Sequence, residues 1–144
     1  MPIAVIVADA SRARILATRE DPGELYELED LVHPESRLRE QELVADGTGS
    51  GSDSGGHGMH SMGHEKAAHD RQAEIFAKEL SSALDKLHRR QQLRRVYLVA
   101  APGFLGLLRA SLSKQCTSLV AGEVGKNLVT HKLEEIRAQL PRRL

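Results

Sequence analysis

Between Ser52 and Glu65 the chain reads SDSGGHGMHSMGHE. His57, His60, His64 and His69 follow one another at intervals of three, four and five positions, and Met59 and Met62 lie among them. Imidazole and thioether suit copper, nickel or zinc. No Cys or carboxylate stands at the spacing of a zinc signature, so the stretch also reads as a flexible polar loop that is rich in His. The sequence therefore predicts no resident cofactor, and at most an adventitious divalent metal on His57, His60, His64 and His69. A second chemistry lies in Gly55-Gly56-His57. Paired glycines let a backbone approach an RNA or protein surface closely, a His can act as acid or base near neutral pH, and the flanking Arg37, Arg39 and Arg71 could hold phosphates. Gly55, Gly56, His57, His60 and His64 form the candidate binding loop.

Other groups offer less. In ADASRAR, Asp9, Ser11, Arg12 and Arg14 close an apolar run, where open α/β sheets often bind ligands. Asp9 is a candidate catalytic carboxylate, as His57 is a candidate acid or base. Metal-dependent nucleases need several converging carboxylates, and no second one is evident, so turn residues are the plainer reading. APGFLG opens a helix, and free amides there favour anions, but it lacks the lysine and spacing of a phosphate loop. HRRQQLRR, His88 to Arg95, holds four arginines. It reads as a solvated helix end, or as a contact for RNA or an acidic protein through residues such as Arg94 and Arg95. Cys116 reads as a half-buried small apolar residue.

The elements that must position these groups fit within 144 residues, enough for one domain with a real core. Aromatics are 3% of the chain, with no Trp, which argues against base-stacking platforms for single-stranded nucleic acid. Twenty acidic and twenty basic side chains cancel, so any pull on nucleic acid needs a local patch. One cysteine excludes a disulfide framework and suits a reducing compartment. The N-terminal apolar run lacks a preceding positive charge and reads as a buried strand, not a signal peptide. No apolar run approaches the roughly 18 residues of a membrane span. The expectation is a cytoplasmic protein with no membrane contact.

Ile3–Ala8 is an apolar β-branched run, the pattern of a strand covered on both faces. Ala13–Thr18 and Leu25–Val32 are further strands, with a Pro-Gly turn between them, so the three form an antiparallel meander. Residues 34–43 are charged and weakly helical. Residues of about 46–64 form an expected mobile loop, too poor in apolar groups to offset the entropy of ordering. A helix is expected from about Glu65 to Gln91, with Phe76, Leu80, Ala83, Leu84 and Leu87 on its buried face and Arg71, Lys78, Glu79 and Lys86 opposite. Val96–Ala101 is a second buried strand. A helix opens at Pro102, a short strand follows at Ser118–Glu123, and Thr130 caps a last helix. The order is β-β-β-α-β-α-β-α: a mixed sheet with helices on both faces and the two apolar strands adjacent at its centre.

Four blocks in order resemble the bacterial host attachment protein family: IVADASRARIL; SDSGGHGMHSM with AEIFAKEL after it; LVAAPGFLGLLRASL; and VGKNLVTHKLEEIRAQL. The resemblance covers nearly the whole chain. That family is similar to the central domain of archaeo-eukaryotic class-1 peptide release factors. The resemblance implies a three-layer, ribonuclease-H-like α/β sandwich whose five-stranded mixed sheet has order 3-2-1-4-5, with strand 2 antiparallel. In release factors the loop before the long helix carries Gly-Gly-Gln, and the Gln positions water to cleave peptidyl-tRNA on the ribosome. Here the equivalent loop has Gly55-Gly56-His57, with no Gln from Gly47 to Glu65. Asn127 stands where family members usually have Asp, and Asp9 resembles the first carboxylate of nucleases of the wider fold. The sequence shows no adhesin feature, so the family name reads as a phenotype label.

Two functions of different class follow. One is a non-enzymatic domain that binds the ribosome, tRNA, other RNA or another protein through the glycine-histidine loop, with Arg12, Arg14, Arg37, Arg39, Arg71, Arg94 and Arg95 as phosphate contacts. The other is a hydrolase of an ester or phosphodiester with His57 or Asp9 in a catalytic role. An enzyme needs a base, an orienting partner and a water-excluding pocket, which a loop spaced by glycines cannot preorganise alone, so binding is the favoured expectation.

Overall fold

A computed structural model describes residues 1–19, 23–33 and 57–144, the side chains of the last segment from residue 70 onward. Its sheet has five strands: β1 (Ile3–Ala8), β2 (Arg12–Thr18), β3 (Tyr26–Val32), β4 (Arg95–Val99) and β5 (Val120–Val124). Their order is β3-β2-β1-β4-β5. β2 runs antiparallel to both neighbours, while β1, β4 and β5 are mutually parallel. The expected order and the central pairing of the two apolar strands are both present. Among the described residues there are also four helices: α1 (His57–Arg90), α2 (Pro102–Ser111), α3 (Lys114–Leu119) and α4 (Leu133–Ala138).

All six residues of β1 are buried. Successive side chains of a strand point to opposite faces, so Ala4, Ile6 and Ala8 join one core and Ile3, Val5 and Val7 another. On the first face, Ala73, Phe76, Ala77, Leu80, Leu84 and Leu87 of α1 supply one helical stripe of buried residues. Phe104, Leu105 and Leu108 of α2 and Cys116 of α3 complete that layer, with the Phe76 and Phe104 rings 6.1 Å apart. On the second face, Leu128, Val129, Ile136, Leu140 and Leu144 cover β1, Leu16, Tyr97 and Val99.

Several boundaries differ from the sequence reading. The long helix begins at His57, eight residues before Glu65. Once packing of the Ala73–Leu87 stripe has nucleated a helix, each added turn costs little even without apolar content. That takes residues 57–64 out of the expected 46–64 loop; the rest of the loop, and the weakly helical 34–43, lie outside the described residues. The helix that opens at Pro102 breaks at Leu112, whose extended backbone leads to Ser113. The Ser113 hydroxyl accepts the Cys116 amide and starts α3, so β5 begins at Val120, not Ser118. The last helix is capped at Lys132, not Thr130: Glu135 accepts the Lys132 amide at 3.3 Å.

The Phe76 ring, fully buried between His33 and Phe104, sets a test of this packing. Phe76→Ala should cost about 3–5 kcal/mol in urea unfolding. Ile75→Ala, on the 38% exposed flank of the same turn, should change stability by no more than about 0.5 kcal/mol. Similar losses for both would contradict the assigned face.

Candidate functional site

β1, β3, β4 and β5 end along one edge of the sheet, where β2 begins. Asp9 closes the β1–β2 turn there. Its Oδ1 accepts the amides of Ser11 at 2.8 Å and Arg12 at 2.9 Å, its Oδ2 accepts Arg12 Nε at 3.2 Å, and its own amide bonds the Arg12 carbonyl. Both carboxylate oxygens are thus engaged in holding the turn. Ser11 is buried, and its carbonyl accepts the His33 amide at 2.8 Å, which ties the end of β3 to the same turn.

His33 is the polar group that the sequence reading missed. It is only 3% exposed. Its ring stacks on Phe76 at 5.5 Å, Nε2 lies 2.7 Å from Gln72 Oε1, and Nδ1 lies 3.5 Å from Glu79 Oε2. Both ring nitrogens therefore face oxygen acceptors on α1, and His33 latches the last residue of the meander to the long helix. The signal was slight: one His between an alternating strand and Pro34. The thirteen residues of α1 before Asp70 span roughly 20 Å of helix ahead of this latch. The chain thus leaves the described rim at His33 and is described again from His57, at the far tip of α1.

The candidates fall into three groups. Arg12 and Arg71 are exposed on this edge and on α1 beside it. Arg14 is drawn into the fold: its guanidinium pairs with Glu27 and donates to the carbonyls of Val129 at 3.1 Å and His131 at 2.6 Å. Arg94 and Arg95 sit at the start of β4, at the opposite end of the sheet. Gly55, Gly56, Arg37 and Arg39 lie outside the described residues. His57, His60, His64 and His69 belong to α1, with side chains outside the described set. Among the described residues, no three of His, Cys, Asp or Glu gather as a metal site. Among them, too, no helix is long and apolar enough to cross a membrane.

A second polar cluster joins α1 to α3. Asp85 Oδ1 accepts the Ser113 hydroxyl at 2.7 Å and the Cys116 thiol at 3.0 Å. Cys116 is fully buried, not half-buried. Burial, and then the bond to Asp85, push its thiol up to about 11. The thiol bond holds the Asp85 carboxyl below its ordinary range, with Ser113 assisting and partial burial opposing. Cys116 thus stays a protonated donor at neutral pH, without nucleophilic thiolate character. Asn127, in the position noted above, accepts the Val129 amide through Oδ1 at 3.2 Å. An amide oxygen serves such a turn as a carboxylate would.

The family model described as "Protein required for attachment to host cells" matches residues 4–140. Among curated proteins, no sequence matches the chain. Among solved structures, an archaeal translation termination factor is similar with a TM-score of 0.53 and 12% identity, over 98% of this chain. A structure titled only "Archaeal protein" gives 0.46 and 12% over 96%. The chain spans about a third of the length of each, 35% and 36%. At this identity the likeness establishes the fold: an α/β domain of release-factor type.

The Asp85–Cys116 bond predicts that iodoacetamide at about pH 8 spares Cys116 in the folded protein and alkylates it in urea, read by mass. The unfolded thiol ionises near its ordinary 9.0 and the folded one near 11, so the unfolded state loses its proton first. The stability contributed by the protonated thiol is therefore complete below pH 9 and falls as pH rises towards 11. Equal alkylation rates with and without urea would overturn the assignment.

Proposed function

The chain belongs to the family of proteins required for attachment to host cells, and on that footing we propose that it is a non-enzymatic binding domain for the translation apparatus, with the ribosome or tRNA as partner. The observation that carries this reading is where the segment between His33 and α1 departs. It does so at one edge of a release-factor-type sheet, tied down by the Asp9 turn and by the His33 contacts to Gln72 and Glu79. The resemblance to release factors, whose working loop precedes the long helix, supports reading this connection as the working loop. Gly55-Gly56-His57 then forms the approach to the partner, with Arg12, Arg37, Arg39 and Arg71 as phosphate contacts around it. A cytoplasmic location accords with such a partner.

Three features favour binding over hydrolysis. The loop has no Gln between Gly47 and Glu65. Both oxygens of Asp9 hold a turn, and the Cys116 thiol is kept protonated. Neither group is poised as a base or nucleophile. How such a domain affects host attachment follows most simply as an indirect consequence of its cytoplasmic partner.

Sucrose-gradient sedimentation of lysate at low salt tests the proposal. The protein should travel with ribosomes, and deletion of residues 47–63 should return it to the top of the gradient. Absence from every ribosomal fraction, or co-sedimentation indifferent to the deletion, would refute the proposal.

A further inference from the structure

We infer that the end of the domain opposite the His33 edge is a second surface for RNA, on which Arg19, Arg90, Arg94, Arg95, Arg142 and Arg143 grip the phosphate backbone. Sequence scatters these arginines over 125 positions, from 19 to 143, and topology gathers them. Ile3, at the start of β1, lies opposite Thr18 on one side and Arg95 on the other. Arg19 and Arg95 thus flank the same strand end. The Arg94 amide bonds the Pro2 carbonyl at 2.9 Å, and Arg95 Nη1 donates to the Leu144 carbonyl at 2.5 Å, which brings the 142–144 segment to this end. Arg137 anchors that segment further: Nη2 donates to the Arg142 carbonyl at 2.7 Å and Nε to the Gly23 carbonyl at 3.1 Å, beside the β2–β3 connection. Arg90 ends α1 and lines a cleft with Leu28, Glu29 and Gln91.

All six side chains belong to exposed residues. Among the described residues, Glu24, Glu29, Glu79 and Glu134 line clefts at or beside these arginines, and Asp85, one turn before Arg89, is occupied by Ser113 and Cys116. A chain of zero formal charge is thus polarised, with a local positive excess at this end of the kind that steers polyanions. Two strand spacings separate the starts of Arg19 and Arg95, about 10 Å. That span covers about three phosphates of a stacked strand, at roughly 3.4 Å of rise each. The set holds guanidinium groups and no lysine. Their planar forks match phosphate oxygens two at a time, which a lysine ammonium does not. Aromatic residues exposed for base stacking are lacking, so the contact is to backbone and independent of sequence.

The inference rests on the translation reading above only for the class of ligand; the surface itself is a different one. Its test is fluorescence anisotropy of a labelled single-stranded RNA of about 20 nucleotides at salt from about 50 to 200 mM. The full chain should bind with affinity that falls steeply with salt. Arg19→Glu/Arg142→Glu/Arg143→Glu should bind at least about tenfold more weakly and flatten the log–log salt slope by about two units, near 0.7 per lost phosphate contact. A circular-dichroism melt checks folding, and Arg142→Gln/Arg143→Gln, milder and confined to the exposed tail, should weaken binding in the same direction with a smaller slope change. Unchanged affinity and slope in both variants, or no binding by the wild type, would overturn the inference. So would capture of the protein by anionic phospholipid vesicles in preference to RNA, since the arginines would then serve a membrane. Deletion of residues 47–63 separates the two proposals. RNA affinity kept with ribosome co-sedimentation lost supports both, whereas arginine variants that bind RNA and ribosomes like the wild type leave the loop reading standing and this one refuted.

Discussion

A strand with all six residues buried leaves no position for a group that water must reach, and β1 imposes that condition on everything around it. Its Ala4-Ile6-Ala8 face must be met by apolar cover, and α1 supplies it; its Ile3-Val5-Val7 face must be met by another, and the 128–144 region supplies that. Both edges must also be hydrogen-bonded, since unpaired buried amides are costly. Hence β2 on one side and β4 on the other, each itself almost wholly buried. The charged residues are thereby expelled to the outer strands, the helix flanks and the two ends of the sheet. Arg14 shows the rule at its margin. It sits on β2, and it is tolerated because Glu27 and the carbonyls of Val129 and His131 saturate its guanidinium while it pins the chain ahead of α4 to the sheet.

The two ends carry different chemistry as a result. At one, Asp9, Ser11 and His33 form a rigid rim of mutually satisfied groups from which the connection to α1 departs. At the other, strand starts, a helix end and the chain's last residues each contribute arginine, a residue whose charge is suited to a helix C-terminus and to solvent. Rigidity at the rim has a functional consequence. A rim whose groups are already paired offers a partner a preformed contact, which lowers the entropy lost when it is met.

The central fold was legible because β1 and β4 are apolar runs too short to be helices and α1 shows a helical stripe from Phe76 to Leu87; both signals are local and strong. The sheet order came from the resemblance and is borne out. What local pattern could not show was cooperative extension. The first turns of α1, among Gly58, Met59 and Gly63, are too poor in apolar residues to signal a helix in the sequence, and they are helical as the continuation of a packed helix. Likewise the Leu112 break depends on a hydroxyl that meets Asp85 across the core, a contact 28 residues distant in sequence. His33 escaped notice for the same reason, since its partners lie on an element 39 residues on. The arginine end is the extreme case: only the register of β1 against β2 and β4, and the fold-back of the tail, brings positions 19, 95 and 143 together.

The titratable groups that looked most chemical in the sequence prove, where their side chains are described, to be structural. Asp9 is a turn residue, and Cys116 is a proton donor to Asp85 rather than a nucleophile. Catalysis requires groups left partly unsatisfied until substrate arrives, with the resulting strain offset elsewhere. In the described part of this domain Asp9, His33, Asp85 and Cys116 already have partners, and the Tyr26 hydroxyl is buried without one, so the core is arranged chiefly for stability. Freedom to interact is left at the surfaces: the connection that springs from the His33 rim and the arginine-lined end opposite. A small domain with one rigid core and two chemically distinct ends is suited to bridging, because each end can engage a partner without deforming the other. That geometry, more than any single residue, is the argument for reading this chain as a binding module.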